Sequence, residues 1–276
     1  MIKVTLIGMA LLLVSFFISF YLFFPANALR GRIEKEVAAR TPAELTIEQM
    51  ALLFPPGLEG SGITVKTGNP QLKSVAVSDL VVKPLWTTLF SGNPGLALQA
   101  RLFGGTLEGT VHHDGAIAAR MNRISFNEPL LAKSGLELAG ILQQGSYSGT
   151  LPLRTQTATH LNLSLHNVRL TGLKAFGIAG GKLDLGTISL VGEGRGNSFR
   201  IDTFKATGGN LEITGGGTVL VVTPLDRSRL NLNIVLRPGR NLDKNLKGLL
   251  SLVTKPARDG AYHFRIAGSL ARPAIH

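Results

Sequence analysis

Beyond Pro42 apolar and polar residues alternate with a period of two, whereas the segment before it repeats on a helical period. His160-Leu161-Asn162-Leu163-Ser164-Leu165-His166 and Arg229-Leu230-Asn231-Leu232-Asn233-Ile234 alternate without a break. Ala43–Glu48, Lys73–Val82, Leu96–Leu102, Ala116–Phe126, Glu137–Gln143, Phe199–Lys205, Thr218–Thr223 and Tyr262–Ala267 are further strand-like stretches. One polar and one apolar face per strand is the mark of an antiparallel sheet. Helical patterns are short: Trp86–Phe90, Glu128–Lys133, and Leu242–Val253 with Leu242, Leu246, Leu249, Leu250 and Val253 on one stripe. About ten strands are too many for one flat sheet, which must curl, close or split. The expected fold is therefore mostly β, a curved antiparallel sheet that is either an open gutter or closed into a barrel or sandwich. In an open gutter, Leu161, Leu163, Leu165, Leu230, Leu232 and Ile234 line the apolar interior. In a closed fold the same six are ordinary core.

A Gly-Gly-x-Leu-acid element occurs three times, at Gly104–Glu108, Gly180–Asp184 and Gly208–Glu212. Glycine accepts the positive φ of a tight hairpin turn, and the following residues restart an alternating strand. The unequal spacing excludes a fixed-period solenoid.

Val4 to Phe24 is an uncharged run of 21 residues, 14 of them Leu, Ile, Val or Phe. At about 1.5 Å per helical residue it spans the roughly 30 Å hydrocarbon core of a bilayer. Such side chains favour insertion by on the order of 4–8 kcal/mol together. A cleaved leader is the alternative, since Ala26-Asn27-Ala28 has the small-x-small form of a cleavage site. The run is, however, about twice the usual length of a signal h-region. Asn27–Arg40 carries Leu29, Ile33 and Val37 on one helical face and is stopped by Thr41-Pro42. The expected organisation is a tail and single transmembrane helix at 1–25, a juxtamembrane amphipathic helix at 26–42, and one β-rich domain at 43–276.

Chemistry is excluded more readily than assigned. The chain has 276 residues and no cysteine, so disulfides, thiolate catalysis and cysteine-held metals are ruled out. Gly192-x-Gly194-x-Gly196 has Asn197 where a dinucleotide loop needs its last glycine, and Gly181-Lys182 has Phe176 and Leu183 at the other two phosphate-loop positions. His112-His113-Asp114 precedes Gly115 as a polar hairpin tip, because adjacent strand residues point to opposite faces. Gly145-Ser146-Tyr147-Ser148-Gly149 is out of register for a nucleophile elbow. The reading is of a non-enzyme, with no catalytic, metal or cofactor-binding residue. Net charge is +12, and the segment Arg227–His276 holds ten Lys/Arg against Asp243 and Asp259. Only Tyr262 and Phe264 offer stacking there, which disfavours nucleic acid; an anionic envelope surface is one expected partner, and basic residues that simply keep the chain soluble are the equal alternative.

Several ordered segments resemble a known family. They are Phe24-Pro25 leading into Ala28–Glu34, then Lys83–Gly92 with Trp86, Leu102–Gly109, and the closing Phe264–Pro273. Together they resemble the type II secretion system protein N family (GspN), which is similar in turn to the broader AsmA-like envelope proteins. The resemblance implies a bacterial inner-membrane anchor with the bulk of the chain in the periplasm. It also implies an accessory role beside other secretion components. For the AsmA-like relatives it implies a β-gutter holding lipid. It brings no catalytic residue and fixes no ligand.

Overall fold

A computed structural model describes residues 24–40, 43–54, 57–67, 74–88, 90–129, 135–150, 157–178, 180–222, 227–239 and 242–275, with Leu12, Ser15, Ser19 and Tyr21 of the N-terminal run. Those four are helical. Among the described residues no helix is long and apolar enough to cross a membrane. The transmembrane helix expected at Val4–Phe24 is therefore not found, nearly all of that run lying outside the described residues. The chain divides into two compact units, Met1–Pro84 and Leu85–His276.

The first unit holds helix α1 (Ala26–Arg40) and the strands β1 (Ala43–Leu53), β2 (Gly57–Thr67) and β3 (Val75–Pro84), paired antiparallel in chain order. Leu29, Ile33 and Val37 are half-buried, as the stripe predicts. Polar contacts fix the helix on β1. Glu34 Oε1 accepts the backbone N–H of Ile47 at 2.9 Å, and Arg30 Nη1 donates to the carbonyl of Glu48 at 2.9 Å. Ile47 and Ile63 face each other across the ladder and are both buried.

The second unit contains β4 (Gly95–Leu102), β5 (Gly105–His112), β6 (Ala116–Pro129), β7 (Glu137–Thr150), β8 (Ala158–Thr171), β9 (Lys182–Arg195) and β10 (Ser198–Thr207). It continues with β11 (Leu211–Leu220), β12 (Arg229–Pro238), helix α2 (Lys244–Val253), β13 (Tyr262–Ser269) and β14 (Arg272–Ile275). From β4 to β14 every strand pairs antiparallel with the next in the chain. The mostly β, antiparallel expectation is thus correct. β4 and β14 are not neighbours and no second sheet forms among the described residues, so neither the barrel nor the sandwich is adopted.

The turns follow local chemistry. Phe103 (φ 49°) and Gly104 (φ 76°) make a two-residue turn between β4 and β5, the doubly positive form that matches strand twist. Gly208 (φ 81°) turns β10 into β11, whereas Gly181 (φ 61°) ends a longer 3₁₀ loop, Gly172–Gly181, instead of a hairpin.

Three expectations need correction. Trp86–Thr88 is a single 3₁₀ turn. Glu128 and Pro129, expected to start a helix, are the last residues of β6, paired with Leu138 and Glu137; the rest of that segment lies outside the described residues. Proline disfavours a helical conformation in the residue before it, and the continuing ladder does the rest. The strand expected at Thr218–Thr223 instead runs over Leu211–Leu220, its middle hidden by Gly215-Gly216-Gly217.

The core gathers at one end of this unit. Val168, Leu173, Ile178, Leu183, Leu185, Ile188, Ala206 and Leu211 form a buried cluster, joined from α2 and its entry by Leu242, Leu246 and Leu250. Asp243 caps α2 by accepting from Asn245 N, and Asn245 Nδ2 donates to the carbonyl of Gly177 at 2.6 Å, joining helix to 3₁₀ loop. Ser251 Oγ and the Tyr262 hydroxyl lie 3.0 Å apart beneath the helix.

Candidate apolar ligand face

Directly paired residues across β8–β13 share a face, and reading along the pairs resolves the apolar face into four rows. The first row is Leu165–Ile188–Ala206–Ile213–Leu236–Tyr262. Ile188, Ala206 and Tyr262 are buried in it, so this row belongs to the capped core. The second is Leu163–Leu190–Phe204–Gly215–Ile234–Phe264, where Phe204 still touches the core cluster. The third is Leu161–Gly192–Ile201–Gly217–Leu232–Ile266. The fourth is Thr159–Gly194–Phe199–Val219–Leu230–Gly268. Every large apolar side chain in the last three rows is half-buried, none fully. Among the described residues no helix or second sheet forms a layer over the third and fourth rows.

The six residues singled out from alternation all fall on this face. Leu161 and Leu232 share the third row, and Leu163 and Ile234 share the second, each pair separated by β9, β10 and β11. Leu165 packs against the buried cluster and so belongs to the capped end. Leu230 lies in the fourth row, nearest the opposite end of the strands.

Alternation missed one feature of this face. β11 places Gly215 and Gly217 where its neighbours place Phe204 and Ile201 on one side and Ile234 and Leu232 on the other. Gly217 has φ +149°, and a Cβ on Gly215 would stand 2.7 Å from the carbonyl oxygen of Asn233. No side chain fits at either position, so β11 contributes only backbone to the second and third rows, with Ile234 leaning over Gly215. Gly192 and Gly194 give way in a different manner. A Cβ at either position would lie within 3 Å of the Phe199 ring, which covers their backbone. The signal was present in the sequence as a glycine triplet inside a strand, a mark of close approach or irregular backbone. The ladder also shifts register between Ile201 and Phe204 and around Asn167 (φ 52°), and such bulges bend the strand that carries them.

The polar face offers little organised chemistry. A depression of about 590 Å³ crosses β4–β9, with Glu108, Arg120, His160 and Glu193 standing around small residues such as Ala118, Ser146 and Ser148. His160 Nδ1 lies 3.6 Å from Glu193 Oε1, with both side chains more than half exposed, where an ion pair contributes little. His112, His113 and Asp114 form the expected hairpin tip. There Asp114 Oδ1 accepts from Ala116 N at 2.9 Å, and Asn93 Oδ1 accepts from Asp114 N at 3.2 Å. No family model, no curated protein and no solved structure matches this chain.

Proposed function

We propose that this chain is a non-catalytic, membrane-tethered envelope protein that holds acyl chains against the exposed rows of its apolar sheet face. One observation carries the reading: three consecutive rows of large apolar residues are left half-buried, with no layer over the third and fourth among the described residues. Full burial of a Leu, Ile or Phe side chain is worth about 1.5–3 kcal/mol. These side chains are already mostly covered, so an acyl chain laid over them recovers on the order of 0.5 kcal/mol for each. Bulges bend the strands that carry them, and an open sheet curved toward its apolar face is a gutter, the geometry in which a flexible chain touches several rows at once. Val4–Phe24 supplies the single-pass anchor in the inner membrane, with the β-rich bulk in the periplasm.

The test is native mass spectrometry of the full chain, extracted from membranes in mild detergent. Acyl lipid is expected to accompany the protein and to be lost from Leu161→Asn/Leu232→Asn. A native chain free of lipid would end the proposal.

A second reading, an accessory component of a type II secretion system, is supported by the ordered segments from Phe24-Pro25 to Phe264–Pro273. The two are compatible, since a lipid-holding face can serve a secretion machine. Crosslinking in intact envelopes followed by affinity capture should recover other secretion components. Recovery of none of them removes this second reading and leaves the first standing.

A further inference from the structure

At the uncapped end, the last residue pairs of β9–β14 form a rim that reads Arg195–Ser198–Leu220–Arg229–Ser269–Arg272. From β9 to β13 each member is next in the chain to a member of the fourth apolar row, so the rim stands on the opposite face. Arg195, Arg229 and Arg272 are exposed. At about 4.8 Å per strand, about 14 Å separates the first two and about 10 Å the last two. Arg227, two residues before Arg229, is exposed as well, while Ser228 between them is only 2% exposed. None of the four arginines has an ion-pair partner among the described residues. The turns 196–197, 221–228 and 270–271 hold one acid by sequence, Asp226, which lies outside the described residues.

The same corner exposes apolar side chains. Leu220, within the rim, is 37% exposed, and Leu270, at the tip of the β13–β14 turn, is 53% exposed. The tip is tied down. Leu270 N donates to the carbonyl of Ser228 at 2.8 Å, and Arg272 N donates to Ser269 Oγ at 3.2 Å. The Ser228 hydroxyl in turn accepts from Val222 N at 3.1 Å.

A nucleic acid needs stacking aromatics, and the rim holds none. An acidic protein segment answers the charge alone. The surface of an anionic bilayer answers both features. Its phosphates match the guanidinium forks, and a projecting leucine reaches the acyl boundary beneath them. Each arginine beside such a surface strengthens attachment about fivefold, so four set against one acid give on the order of a hundredfold.

We propose that this corner docks on the surface of an anionic phospholipid bilayer, with Arg195, Arg227, Arg229 and Arg272 against the phosphates and Leu270 inserted as the tip. The inference stands apart from the acyl-chain reading, because the rim lies on the opposite face and no lipid leaves the bilayer.

The chain has no cysteine, so one introduced thiol carries a single label. Full-length chain with Ala271→Cys, labelled with an environment-sensitive fluorophore, is reconstituted into dioleoyl phosphatidylcholine vesicles with or without dioleoyl phosphatidylglycerol. Contact with the chain's own vesicle or with a neighbouring one reads alike. The emission should shift to the blue only in the vesicles that contain phosphatidylglycerol, and high salt should reverse the shift. A label at Asn122→Cys, in the middle of β6, should stay unshifted in both. Arg227→Gln/Arg229→Gln/Arg272→Gln should return the emission at Ala271→Cys to its phosphatidylcholine value. Arg229→Gln alone should lower the docked-to-free ratio about fivefold, which keeps the test readable should the triple variant misfold. Leu270→Asn should lower that ratio as well. A label that is silent, shifts equally in pure phosphatidylcholine, shifts alike at Asn122→Cys, or ignores the arginine and leucine substitutions overturns the docking corner. Each of these results leaves the acyl-chain reading as it was, since co-purified lipid decides that one.

Discussion

The two ends of the β4–β14 sheet begin from the same alternating pattern and finish differently. At one end the strands run into apolar connections. Leu173 and Ile178 in the 3₁₀ loop and Leu242, Leu246 and Leu250 at α2 fold back over the first row and bury it. At the other end the described turns are short, as at His113-Asp114-Gly115, Gly196-Asn197 and Leu270-Ala271, too short to lie back over the strands, and Leu270 stays 53% exposed. The large apolar residues of the fourth row there stay only partly buried, with Arg229 and Arg272 at the strand ends beside them. Alternation therefore decides which side chains share a face, while the connections decide whether that face becomes core. A closed core is expected only where a connection carries its own apolar stripe and enough length to lie over the strands.

The largest expected effect breaks this comparison at its most contrasted residues. Ile178 is 3% exposed inside the capped cluster. Ile178→Ala should cost about 3 kcal/mol, from lost transfer free energy and the cavity left behind. Leu232 is half-buried in the third row with no layer above it. Leu232→Ala should cost about 1–2 kcal/mol, because part of its surface is already in water and no closed cavity forms. Urea unfolding of both variants reads the difference. Equal losses would mean that the apolar face is covered as tightly as the capped end.

How much of this was legible in the sequence follows from the same distinction. His160–His166 and Arg229–Ile234 announced strands and parity because each side chain reports its own face at a period of two. Leu242–Val253 announced a covering helix because Leu242, Leu246 and Leu250 recur at helical spacing. Pairing across β9–β11 was not legible, so nothing in the chain said that Leu161 shares a row with Leu232 and not with Leu230. That depends on register shifts near Asn167 and Ile201, which a one-dimensional pattern does not display. The bare backbone of β11 was missed because glycines contribute nothing to alternation, and the arginine rim because Arg227, Arg229 and Arg272 are brought together only by β12–β14 pairing. The basic character of the last fifty residues was plain, but its focus on one end of the sheet was not.

A smaller effect sharpens the role of the cap itself. Asp243 Oδ1 accepts from Asn245 N at 2.8 Å and starts α2. Asp243→Ala should cost about 1 kcal/mol, the usual value for losing an N-cap side chain. The loss should be local to the capped end. Hydrogen exchange should quicken in α2 and around Tyr262, whose hydroxyl lies beside Ser251, while the amides of Val219 and Leu230 keep their protection. Equal acceleration at both ends would show that the sheet opens as one unit and that the cap does not set the contrast.

The smallest effect distinguishes the two ends by their response to acid. Asp259, just before β13 at the capped end, accepts from Ala261 N at 3.1 Å through Oδ1 and from Arg237 Nη2 at 3.3 Å through Oδ2. The Ala261 N–H first, and then Arg237, hold its carboxyl below the ordinary value of 3.8. A carboxylate with a depressed native pKa stabilises the fold above its unfolded value, and that contribution disappears as pH falls through the native value. Between neutral pH and about 5 the contact is constant; it fades from about pH 4 downward. Asp259 is open to solvent, so the change is slight and is best read by carbon-detected NMR titration of its carboxyl. Arg237→Gln should move the midpoint upward only in part, because the Ala261 donor remains. Ser269 pairs with Arg229 and Arg272 and has no carboxylate beside it among the described residues, so its amide shift should stay flat over the same range. A matching titration there would reveal an acidic group against Arg229 and Arg272.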